Sequence, residues 1–261
     1  MLNLVYEMFN LMYNESFKIF ARKKVYVFMV LTIGFHLLPL IISTVMQQPL
    51  AYNGQSYPVV SLESFLSGLL PIFIILLAAD MTTSEYEHGT LKLFLLRPVT
   101  RTRLLGAKAA ALMITIITLL AVNLVAAYGL GTLFLGWGEG FKFGETALSQ
   151  GSGIIYTLTA NIAAVIPQMC FAALIIFISL VAVNGNTTIG VSLGFLVIMQ
   201  VAANFAVIKP FLISSYFGIY KWFLVQPRWE TVITGIAVML VYGVCFLAAA
   251  NYTLNRKDIL T

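Results

Sequence analysis

Apolar residues run along this chain in six long blocks with short polar stretches between them. The blocks cover about Val25–Met46, Leu62–Asp80, Leu104–Leu135, Gly153–Val183, Thr188–Ile208 and Thr231–Leu254. A helix crosses the hydrocarbon core of a bilayer with about 20 apolar residues, so each block reads as a transmembrane helix. The third and fourth are long enough to tilt or to project beyond the bilayer. Ahead of the first block, Tyr6, Phe9, Met12, Tyr13, Phe17 and Phe20 recur at helical spacing, with Asn3, Glu7, Asn10, Asn14 and Lys18 on other faces. That pattern predicts an amphipathic helix over residues 1–24 lying in the membrane interface. Residues 209–230 carry Phe211, Tyr216, Phe217, Tyr220 and Trp222 beside Lys209, Lys221 and Arg228, between Pro210 and Pro227. The stretch is too polar to span and too apolar for a free loop. It predicts one or two short helices dipping into the outer interface. Pro49, Asn53-Gly54 and Pro58 mark residues 47–61 as a loop, and the glycines of 136–153 mark an irregular stretch.

The expected fold is therefore all-α: a single polytopic domain over residues 1–261. Its parts are the interfacial helix, six spans (25–46, 62–80, 104–135, 153–183, 188–208, 231–254), a cytoplasmic segment over 84–103 and a re-entrant segment over 209–230. Composition agrees, with 60% apolar and only 10% charged residues. Charge sets the orientation. With both termini inside, Lys18, Arg22, Lys23, Lys24, Lys92, Arg97, Arg101, Arg103, Lys108, Arg256 and Lys257 face the cytoplasm, and Lys142, Lys209, Lys221 and Arg228 lie outside. The positive-inside rule favours that arrangement. The basic residues do not form a nucleic-acid footprint, so no nucleic-acid partner is expected. Cys170 and Cys245 lie within spans and read as small apolar residues.

Motifs for chemistry are missing. No Gly-x-x-x-x-Gly-Lys-Ser/Thr loop occurs, so ATP is not bound in that way, and no metalloprotease or serine-hydrolase motif occurs. His36 and His88 lie apart, without metal-ligand spacing. His36 reads either as a packed, hydrogen-bonded histidine or as a functional intramembrane group. The midspan polar residues are mostly amides: Asn123, Asn161, Gln168, Gln200 and Asn204. Interhelical hydrogen bonding and a substrate path explain them equally well. Asn123, Asn161, Gln168 and Asn204 are the candidates for that path. Pro39, Pro71 and Pro167 can kink their spans.

The polar island between the second and third blocks is the most specific feature. It runs from Asp80 through Glu85-Tyr86-Glu87-His88-Gly89-Thr90, then Leu-rich residues, to Arg97-Pro98-Val99-Thr100-Arg101. Ser84 and Glu87 have capping-box spacing. Thr90, Leu91, Phe94 and Leu95 form an apolar stripe, and Pro98 ends the helix that these signals predict over about 85–96.

This pattern resembles the first cytoplasmic loop of type-2 ABC-transporter permeases, and Asn255-Arg256-Lys257-Asp258 resembles the tail of that family. The resemblance extends over essentially the whole chain and looks most like bacterial permeases that export antibiotics, peptides or toxins. It implies a cell-membrane protein that performs no catalysis and holds no cofactor. ATP and magnesium would bind a separate ABC ATPase, in two copies, and a second permease copy or a paralogue would complete the pathway. It further implies that Glu85, Glu87, His88, Gly89, Thr90, Arg97, Pro98 and Arg101 couple the ATPase to the spans. The exported solute would be an amphipathic peptide, an antibiotic or a lipid-like molecule. Two other readings stay open on the residues alone: an ion-coupled secondary transporter, and a membrane sensor or immunity protein that transports nothing.

Overall fold

A computed structural model describes residues 2–47, 50, 52–87, 100–143, 146–182, 184–224 and 229–256. The protein is an all-α polytopic membrane protein, with six helices long and apolar enough to span among the described residues. The N-terminal helix α1 (Leu2–Phe20) is followed by α2 (Lys23–Val45). The second span is built from α3 (Tyr57–Ser64), a π-helical turn (Phe65–Leu69) and α4 (Leu70–Glu87). Then come α5 (Arg101–Leu135), a two-stranded hairpin (β1, Phe141–Phe143; β2, Thr146–Leu148), α6 (Gln150–Val181) and α7 (Gly185–Ala202). Two 3-10 turns (Lys209–Phe211, Ile213–Tyr216) and the short α8 (Tyr220–Leu224) lead to α9 (Trp229–Arg256).

The second span and α6 form the centre of the bundle. Leu62, Phe65, Leu66, Leu70 and Ile74 face Phe171, Ile175 and their neighbours in one continuous apolar core. The helices α2, α7 and α9 lie at the periphery, with exposed apolar faces such as Val30 and Leu38, Val197 and Ile198, and Leu240 and Val244. Between spans, lipid is as apolar as a leucine side chain, so these exposed faces need no protein cover.

On α1 the aromatic stripe Tyr6, Phe9, Tyr13 and Phe17 points away from the protein. The opposite face packs on α5 and carries Ile19 together with a buried carboxylate, Glu15. An outward aromatic stripe is what an interfacial helix presents to lipid.

Four elements differ from the sequence expectation. The second span starts at Tyr57 rather than Leu62, because Pro58 occupies the first turn of α3, where its missing N–H costs nothing. The helix α4 continues through Ser84 to Glu87, so Ser84 does not cap a new helix there. The stretch expected to be irregular contains the hairpin, paired Phe141 to Leu148 and Phe143 to Thr146. A Cβ on Gly153 would lie 2.5 Å from Phe141 Cβ, so glycine is what admits this hairpin against α6. Asn53 donates to the Gly140 carbonyl (2.7 Å) and Gln55 to the Gly138 carbonyl (2.9 Å), closing the hairpin onto the loop before α3. Finally, α7 ends at Ala202. Asn204 therefore sits beyond the span, where its Nδ2 donates to the Val201 carbonyl at 3.0 Å, rather than at midspan.

Candidate functional site

The charged side chains that flank the polar island gather at one end of the bundle. Asp80, near the end of α4, accepts Lys24 Nζ at 2.7 Å and lies 3.5 Å from Arg22 Nη1. This pair joins the second span to the start of the first. Near the start of the third span, Lys108 is buried although cationic. Its Nζ donates to the Met81 carbonyl at 2.8 Å and meets Glu15 Oε2 of α1 at 3.2 Å. Lys18, one turn along α1, also reaches Glu15.

The buried Glu15 carboxyl feels two opposed effects. Burial raises its pKa, while Lys108 and Lys18 together lower it by more, so the net shift is downward and the group is a carboxylate at neutral pH. A buried charge of each sign, paired and hydrogen-bonded, is the arrangement under which such burial is tolerated.

The start of α5 is tied to α9. Arg101 Nη1 donates to the Leu254 carbonyl at 2.8 Å and to the Asn255 carbonyl at 3.2 Å. These carbonyls belong to the last turn of α9, where a cation also complements the negative end of the helix dipole. Thr102 Oγ1 donates to Asn251 Oδ1 (3.0 Å), and Arg103 Nη1 lies 3.4 Å from Glu7 Oε2 on α1. The two flanks of residues 88–99 are thus fixed to α1, α2 and α9. The α4 flank is bonded to α2, and the α5 flank to α1 and α9.

Of the eight predicted coupling residues, Arg101 takes part in this collar. Glu85 and Glu87 belong to the backbone of the last turn of α4. His88, Gly89, Thr90, Arg97 and Pro98 lie outside the described residues. Sequence reasoning missed Glu15. Its signal was a carboxylate one turn before Ile19 on the face of α1 opposite the aromatic stripe, matched by a lysine within the apolar run of α5.

The four candidate path residues do not share a hydrogen bond. Asn123 Oδ1 meets His36 Nε2 at 3.0 Å, and His36 Nδ1 lies 3.3 Å from the Tyr57 hydroxyl, with all three side chains buried. This cluster joins the first three spans. Asn161 donates to the Thr157 carbonyl of its own helix (2.9 Å).

Gln168 serves the π-turn. The Leu70 N–H bonds to the Phe65 carbonyl, one residue farther back than an α-helix would place it. The Leu66 carbonyl thereby loses its α-helical donor, and the next residue, Pro71, has no N–H to offer. Gln168 Nε2 supplies the bond from α6 at 2.9 Å. The same proline deprives the Ser67 carbonyl of its usual donor, and Gln200 Nε2 of α7 donates to it at 2.6 Å. Gln168 and Gln200 therefore repair one proline-induced break and knit the second span to α6 and α7.

The described residues thus form a helical bundle with six helices able to span a membrane and a set of ion pairs at one end. Residues 11–175 match the family described as ABC-2 family transporter protein, and the chain belongs to it. That match covers Glu15, Arg22, Lys24, Asp80, Arg101, Arg103 and Lys108 of the collar, together with His36, Asn123, Asn161 and Gln168, and leaves Glu7 outside. The protein YhcI of Bacillus subtilis (strain 168), described as uncharacterized, is 23% identical over 208 residues. The alignment covers 73% of this chain and 65% of the relative, so the chain spans a little less than two thirds of that relative's length.

Proposed function

We propose that this chain is the permease subunit of an ABC exporter, driven by a separate ATPase that engages residues 84–103 on the cytoplasmic side of the bacterial cell membrane. The observation that carries the reading is the collar. Asp80, Arg101, Arg103 and Lys108 bracket the segment and bond to α1, α2 and α9. A load applied by a soluble subunit at the segment would reach those helices through direct side-chain bonds. Membership of the ABC-2 family supports the same partnership.

In this reading the chain carries out no catalytic step. Two ATPase subunits close on ATP and magnesium, the segments move, and the spans shift between inward- and outward-facing states. Such a shift requires that the ATPase bind the two states with different affinity. A second permease copy or a paralogue completes the pathway. Apolar spans of low charge suit an amphipathic peptide, antibiotic or lipid-like solute, since an unpaired charge at midspan costs several kcal/mol.

Replacing Glu87 by Ala or Gly89 by Leu tests the assignment. Each variant should insert normally and lose the link between ATP hydrolysis and export. The first would remove a carboxylate that could accept charge-assisted hydrogen bonds from the ATPase, and the second would add a bulky side chain to the proposed docking segment. Full substrate-stimulated hydrolysis and export in both variants would move the docking site elsewhere.

A further inference from the structure

A groove of about 660 Å³ lies between the 3-10 turns and the first half of α9. Its position follows from the helix. The C-terminal turn of α9 bonds to Arg101 in the collar, whereas Gly235 and Val238 belong to its early turns, so the groove occupies the opposite half of the bundle. It also lies beyond residues 11–175 and outside the family match.

Its end wall is aromatic and fixed. Tyr216 and Trp222 meet edge to face with centroids 5.6 Å apart, and the Tyr216 hydroxyl donates to the Pro210 carbonyl at 2.7 Å. Both rings come down on Gly235. A Cβ there would be 3.1 Å from Tyr216 and 3.2 Å from Trp222, so a larger residue would push the wall away from α9. The floor is Val238, Val241 and Ala237.

Two observations identify the occupant. The groove is open on the surface of the single chain: α9 has the smallest buried share of the six spans, 17%, and Val241 of the floor and the neighbouring Leu240 and Val244 are exposed, as a face turned to acyl chains would be. Lys209 is exposed and lines the groove, and no described carboxylate lies within ion-pair distance of it. An apolar trough with aromatic rings and a lysine that has no carboxylate partner among the described residues complements an acyl chain that carries an anionic headgroup. The volume falls in the range of about 300–1,000 Å³ typical of small-molecule sites. We propose that this groove binds one acyl chain of an anionic phospholipid from the surrounding leaflet, with Lys209 at its phosphate. The proposal depends on the membrane-spanning fold and is independent of the ATPase partnership.

Trp222 is a built-in reporter. In a variant with Trp137→Phe and Trp229→Phe, brominated-acyl phosphatidylglycerol and phosphatidylcholine are compared as quenchers of its fluorescence in nanodiscs. The anionic lipid should occupy the groove about fivefold more tightly, the preference expected of one lysine for one anionic headgroup. Lys209→Gln should bring the ratio to one, and Ala237→Phe, which fills the floor, should weaken quenching by both lipids. Thermal unfolding of the chain with all its tryptophans provides a second readout: phosphatidylglycerol should raise the midpoint, and not in Lys209→Gln. Equal quenching by the two lipids would overturn the proposal. So would a preference that survives Lys209→Gln, quenching unaffected by Ala237→Phe, or a groove closed to both lipids by a second copy of the chain.

Discussion

Replacing Lys108 by Met removes the cation from the centre of the collar while keeping the length of the side chain. The Lys108 and Glu15 side chains are 8% and 4% exposed, so the pair is effectively dry. Deleting one partner of a buried ion pair costs about 3–5 kcal/mol, because the other charge stays buried without compensation. Glu15 keeps the more exposed Lys18, which places the ionic loss near the lower end, about 3 kcal/mol. The Met81 carbonyl also loses its donor, which adds about 1 kcal/mol. At roughly 2–4 °C per kcal/mol for a chain of this size, the unfolding midpoint should fall by about 8–16 °C. Thermal unfolding in a fixed detergent reads this directly. The double variant with Glu15→Gln should recover a large part of the loss, since no charge is then stranded. Acid supplies a further arm. The Glu15 carboxyl is held below its ordinary value, so its contribution is complete above about pH 4.3 and is lost as the pH falls through the lower folded-state value. In Lys108→Met one of the two lowering partners is gone and only Lys18 remains, so Glu15 takes up a proton more readily and the deficit relative to the parent should shrink between pH 7 and pH 4. An unchanged midpoint in Lys108→Met, or a double variant whose loss equals the sum of the singles, would refute the pairing argument.

Gln168→Leu should destabilise the protein by about 1–3 kcal/mol, because the Leu66 carbonyl is then buried without a donor. Gln200→Leu should become nearly neutral when combined with Pro71→Ala, which returns an N–H to the Ser67 carbonyl; thermal unfolding of the four variants checks both statements. For topology, cysteines placed at the exposed Thr100 and Glu139 should be labelled from opposite sides of intact cells, and labelling of both from outside would contradict the orientation.

Hydropathy made most of the fold legible. Six apolar blocks gave six long helices, since an apolar segment of about 20 residues satisfies its own backbone in lipid as a helix. What stayed hidden were contacts between distant residues. Pro58 looked like a loop signal because composition does not distinguish a proline between helices from one in a first turn. Pro71 announced a break, but the π-turn and its two glutamine donors exist only once α6 and α7 are packed beside it. The pairing of Asn123 with His36, 87 residues apart, is likewise a product of packing. Asn204 was misplaced because Phe205, Val207 and Ile208 prolong the apolar run past the end of α7. At the collar, the island itself stood out as charge amid apolar sequence, whereas Glu15 did not. A single carboxylate in an amphipathic helix looks solvated until its lysine is found on another span.

The measurement closest to the central claim is reconstitution of this chain in liposomes with the ABC ATPase encoded nearest to it. The two should purify together, and ATP hydrolysis should rise when an amphipathic peptide or antibiotic is added and remain indifferent to sodium and potassium gradients. Solute or cation flux driven by an ion gradient through this chain alone, with no ATPase bound, would contradict the account.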